Sequence, residues 1–186
     1  MKLRRFLFGF LLLAVSACGE ELPKHSATNL TFRAFELPDQ FGELQRITFP
    51  RTNLLVITIA DHKGSEQVAA WVRPLKERFP DGLPIEGVAD VSSVPALLRP
   101  LVRREFKKKF NRPVMMDWSG GVVKPLACAP NVANVFVVAT NGAVLLRFAG
   151  PADAERFVQL FAIVKSHLCQ SSTNAVTKSE PVKASP

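Results

Sequence analysis

Residues 54–68 read LLVITIADHKGSEQV. Leu54 to Ala60 form an apolar run broken only by Thr58, which is the pattern of a strand buried on both faces. A polar cluster follows, Asp61-His62-Lys63-Gly64-Ser65-Glu66, and a second apolar pattern begins at Val68. A buried strand feeding a helix is the unit of an α/β protein, and such proteins hold ligands at the carboxyl ends of their strands. The junction at residues 61–66 is therefore the first place to look for chemistry.

Working outward, a short strand is expected near Phe32 to Leu37, a turn at Pro38-Asp39-Gln40-Phe41-Gly42, and a second strand near Leu44 to Phe49, which together make a hairpin. The buried strand covers Asn53 to Ala60, and the helix after it runs from Ser65 to Phe79 with Ser65 as its cap. A strand at Ile85 to Ala89 and a helix at Pro95 to Phe110 come next. Strands are then expected at Val114 to Asp117, Val122 to Pro125, Val135 to Ala139 and Val144 to Phe148. Asn141-Gly142 marks a hairpin turn between the last two. The final helix starts at Pro151, a favoured first-turn residue, and runs to about Leu168. Its Ala154, Phe157, Val158, Phe161 and Val164 recur at helical spacing. The fold class is α/β, with a mixed central sheet, flanking helices and a leading β-hairpin.

The ends have a different character. Lys2, Arg4 and Arg5 precede an apolar segment, Phe6 to Val15, that is too short to span a bilayer comfortably. Val15-Ser16-Ala17-Cys18 resembles the lipobox of bacterial lipoproteins, in which the cysteine after the cut carries the lipid. The resemblance implies a signal peptide over 1–17, lipidation at Cys18 and attachment to the membrane through it. An ordinary signal peptide cut nearby is the alternative. Gly19, where an aspartate would retain a Gram-negative lipoprotein at the inner membrane, points to the periplasmic face of the outer membrane if the host is Gram-negative. Residues 18–29 read as a polar tether, 30–169 as the folded domain and 170–186 as a disordered tail. The chain's formal charge is +8, and removing the three signal-peptide bases leaves about +5.

From Phe32 to Leu168 the order resembles the thioredoxin plan with the leading hairpin of the redoxins. PDQFGELQRITFPRTNLLVITIAD is similar to the opening of peroxiredoxin-like and membrane-tethered thioredoxin-like proteins, and NVFVVATNGAVLLRFAGP to their closing hairpin and last-helix start. In active members the first helix begins at a cysteine, because a helix N-terminus stabilises a thiolate. Here no cysteine occurs between Cys18 and Cys128. Active members also carry a cis-proline just before the penultimate strand. Ala133-Asn134 stands at that place, and Pro130 lies three residues upstream.

Cys128 is then the thiol left near the functional edge. Cys169 sits at the far end of the last helix, about 27 Å away along 18 residues, too far for a disulfide. A binding cleft is expected at the carboxyl edge from Asp61, His62, Lys63, Ser65, Asp90, Asp117 and Trp118. The histidines, His25, His62 and His167, are too scattered for a metal site, and no cofactor is expected. Arg103, Arg104, Lys107, Lys108, Lys109 and Arg112 form a basic surface, with Leu98, Leu101, Val102, Phe106 and Phe110 as the helix's apolar side. Such a surface suits anionic lipid or an acidic envelope protein. Nucleic acid is not expected, since no aromatic stacking motif accompanies the bases. The sequence therefore reads as a redox-inactive binding or scaffolding domain. A divergent redoxin using Cys128 as its one thiol is the alternative.

Overall fold

The computed structural model describes residues 30–177, with side chains to residue 168. Strands β1 (Phe35–Pro38) and β2 (Leu44–Ile47) pair antiparallel as the leading hairpin. There follow β3 (Leu55–Ala60), α1 (Ser65–Arg78), β4 (Ile85–Asp90), α2 (Arg99–Lys109) and β5 (Met115–Asp117), then β6 (Asn134–Val138), β7 (Val144–Ala149) and α3 (Ala154–Thr177). The second sheet has the order β5-β4-β3-β6-β7, with β3, β4 and β5 parallel and β6 and β7 antiparallel. This is the expected mixed sheet with flanking helices and a leading hairpin.

β3 is buried at all six positions, as an apolar central strand must be. Its side chains alternate between two cores. Val56 joins Val135, Val137, Trp71 and Leu75 of α1, and Leu160 and Val164 of α3. Leu55, Ile57 and Ile59 face Phe136, Val138 and Met115, which the hairpin's Leu37 and Ile47 cover. Trp71 is the pivot of the first core. Its indole N–H donates to the Gly150 carbonyl at 3.0 Å, and its ring stacks on Phe148 at 5.4 Å.

The last helix starts at Ala154 and not at Pro151, with the Asp153 carboxylate accepting the Arg156 amide, and three larger expectations differ. Val122 to Pro125 is not a strand but a turn leading into a 3-10 turn over Lys124–Leu126. The β-branched pair Val122-Val123 suggests a strand, but both amides are taken by the Asp117 carboxylate, at 2.8 and 3.0 Å. α3 continues to Thr177, into the segment expected as a tail, while residues 178–186, like the signal peptide, Cys18 and the tether, lie outside the described residues. The third difference is at α2, which opens with a 3-10 turn at Ala96–Leu98 and has no fully buried residue. Its platform at the sheet's edge is narrow, Ala89, Val91 and Met116, and Val102, Phe106 and Trp118 fill it. Leu98 and Leu101, expected inside, are 46% and 47% exposed.

The hairpin is fastened by one buried side chain. Gln40 is fully buried in the β1–β2 turn. Its Nε2 donates to the carbonyls of Phe110 and Arg112 at 3.3 and 2.8 Å, and its Oε1 accepts the Val114 amide at 2.8 Å. One amide thus satisfies three backbone groups of the α2–β5 loop. Gln40→Ala strips all three, and we expect a loss of about 2–4 kcal/mol of stability in urea unfolding.

Candidate functional site

The junction that opens the sequence reading is held by Asp61. Its Oδ1 accepts the Gly64 amide at 2.8 Å, and its Oδ2 accepts the Asn131 amide at 2.6 Å from the loop before β6. The helix start is wound tightly on itself. The Ser65 amide donates to the Asp61 carbonyl at 2.9 Å, Glu66 to Lys63 at 3.3 Å and Gln67 to Gly64 at 3.0 Å. These are the donors that a helix start offers to an anion, and here the chain's own oxygens take them. Ser65 is not the expected cap. Gly64 holds that position, and the Ser65 hydroxyl donates to the His62 carbonyl at 2.7 Å. Gly64 fits because a side chain there would overlap the Val132 carbonyl.

The loop before β6 is tied down from the other side. The Ala133 amide donates to Gln67 Oε1 of α1 at 3.1 Å. A proline at 133 would have no N–H to give, so this bond requires a residue other than proline there. Among the described residues the cis peptide is Phe49–Pro50, so the bond before Pro130 is trans. Asn134 braces the same loop, accepting the Ala129 amide at 2.8 Å and donating to the Ala129 carbonyl at 2.9 Å.

Cys128 sits within this loop, half-buried against the hairpin-side core and without a disulfide. Burial pushes its thiol up to about 11; Arg147 pulls the other way, and Asp90 adds to the rise. The thiol is therefore protonated at neutral pH, the opposite of an activated cysteine.

Two residues expected in the cleft serve elsewhere. Asp117 is fully buried, and its carboxylate accepts the amides of Gly121, Val122 and Val123 and the Ser119 hydroxyl. Burial pushes this carboxyl up, but the hydrogen bonds from Val123, Val122 and Ser119 outweigh it and hold the pKa below the ordinary aspartate value. Trp118 packs under α2. Arg99 and Arg103 lie over its ring at 5.3 and 5.7 Å, so Arg103 is half-buried and not part of the outward basic face.

The other cleft residues do come together. Asp61, His62, Lys63, Ser65 and Asp90 rim one end of a groove of about 1430 Å³ between α1 and α2. Thr58, Gly87 and Ala89 lie along its length, and Val72 and Phe106 stand on either side. The opposite end was not foreseen. There Lys76 is held below its ordinary value by burial and by Arg112, while burial pushes Glu86 up against the pull of Arg51 and Arg112. Gln67, Asn131 and Ala133, which close the junction, were also missed. Of these contacts only the Asp61-x-x-Gly64 turn has a local sequence signal.

No protein-family model matches the chain, and no curated protein matches it. Solved structures do resemble it. One from Chlorobium tepidum, described as the thiol:disulfide interchange protein DsbE, is 15% identical with a TM-score of 0.56, over 72% of this chain and 95% of that one. The exposed lipoprotein thioredoxin Etrx1 of Streptococcus pneumoniae is 14% identical with a TM-score of 0.54, over 72% and 98%. A thiol-disulfide oxidoreductase of Bacteroides fragilis is 16% identical with a TM-score of 0.51, over 74% and 98%. The fold is thioredoxin-like.

Two measurements test this account of the junction and of Asp117. Asp61→Ala removes acceptors for two amides and should cost about 1–3 kcal/mol in urea unfolding, whereas Ser65→Ala should stay within about 0.5 kcal/mol. Because the folded-state pKa of Asp117 is depressed, its ionisation stabilises the fold above the ordinary aspartate range, and that contribution disappears as pH falls through the folded value. The stability gap between wild type and Asp117→Asn should therefore be widest near neutrality and shrink below about pH 4.

Proposed function

We propose that this protein is a lipid-anchored envelope protein whose thioredoxin-like domain binds a partner and does not turn over thiols. The observation that carries this reading is the closed helix start. The donors that would activate a thiolate are consumed by the Asp61 side chain and by carbonyls of the 61–64 turn, and Gly64 leaves no room for a side chain. The groove between α1 and α2 begins at this junction and gives the domain a concave surface for a ligand. The lipobox-like stretch ending in Cys18 supports export and anchoring, and Gly19 supports the periplasmic face of the outer membrane in a Gram-negative host.

One-thiol redoxin chemistry at Cys128 has burial against it. A thiol with its pKa near 11 is largely un-ionised at neutral pH and reacts slowly with peroxide or disulfide. The test runs wild type beside Cys128→Ser in peroxide consumption and in disulfide reduction with a thiol donor. Neither protein should exceed buffer. Peptide mass spectrometry should also show Cys128 alkylated far more slowly than a free cysteine at pH 8, with the rate climbing toward pH 11. Turnover that vanishes in Cys128→Ser overturns the proposal.

A further inference from the structure

The outer side of α2 presents leucines at its start and bases along its length. Leu97 is 90% exposed, and Leu98 and Leu101 are about half exposed. Three of the six large apolar side chains exposed among the described residues thus lie within five consecutive positions. The exposed Phe41 ring of the hairpin turn lies beside the same helix, 5.8 Å from Lys107 Nζ. Leaving the three leucines in water is unfavourable, and a bilayer or a partner would relieve it.

Charge restricts the occupant to an anionic one. Residues 97–112 hold seven bases and one acid, a net +6, which exceeds the net charge of the whole chain after residue 17. The acid, Glu105, is already paired with Arg104 and Lys108. Leu97, Leu101, Arg104 and Lys108 follow one another at spacings of four, three and four, which places them in a line along the helix. Arg99 and Arg103 lie over Trp118 and make no ion pair among the described residues. With leucines leading and bases trailing along one exposed face, the start of the helix can dip its leucines toward the acyl chains while the long basic side chains behind them stay at the headgroups.

We propose that the start and outer face of α2 dock on an anionic phospholipid bilayer. The contact holds the groove-bearing domain against the membrane surface by its own residues. It is independent of any lipid on Cys18, and it stands or falls separately from the thiol assays above.

The test uses the unlipidated chain from Gly19 onward, which contains the whole described fold. It is sedimented with phosphatidylcholine vesicles with and without phosphatidylglycerol. Binding should require phosphatidylglycerol and weaken as salt rises. Leu97→Ser with Leu101→Ser should bind about tenfold more weakly or worse, as should Arg104→Glu with Lys108→Glu. All four positions are exposed, and circular dichroism verifies that the variants fold. Absence of binding, equal binding without phosphatidylglycerol, or leucine variants that bind like wild type would each overturn the proposal. A stable dimer in solution that dissociates in the leucine variant would do so too, by assigning the face to a second copy.

Discussion

The Asp61 carboxylate is the contact on which the working edge of this fold depends. It sits at the end of the central strand and joins two segments far apart in sequence, the start of α1 and the loop before β6. Gln67 and the Ala133 amide repeat the tie one turn further along the helix. Hydrogen bonds within the protein thus close this edge of the sheet, and they are local to the edge.

The same economy explains where a concave surface survives. α1 and α3 share one side of the sheet around Trp71, while α2 rests on the short edge formed by β4 and β5. With only Ala89, Val91 and Met116 as a platform, α2 packs through a few side chains and stays clear of α1 along much of its length. The groove and the outward leucines are two results of that one shortage.

How much of this was legible depends on the range of the interactions involved. β3 could be read directly, since a long apolar run bounded by a polar cluster fits a central strand. The Asn141-Gly142 turn and the spacing of α3 were equally local signals. The strand expected at Val122 to Pro125 failed because a carboxylate five residues upstream claimed the amides that a strand would have needed. Ser65 failed as a cap because the cap position falls one residue earlier, on Gly64, so that Ser65 already stands in the first turn and its hydroxyl donates back to the His62 carbonyl. The missing thiol at the helix start was plain in the sequence. The closure of that place was not, because Asn131 and Ala133 reach it from the far side of the domain.

Gln40 has a consequence for the order in which the molecule is assembled. Its three partners lie 70, 72 and 74 residues further along the chain. A two-stranded hairpin in isolation is marginal in water, and closing so long a loop costs entropy before any contact rewards it. The hairpin cannot be fastened in this way until the loop at residues 110–114 presents the carbonyls and amide that Gln40 needs. The first part of the domain to be synthesised is thus fastened by a segment made some 70 residues later. Until then one layer of the core, with Ile57, Ile59 and Phe136 in it, lacks the hairpin's cover.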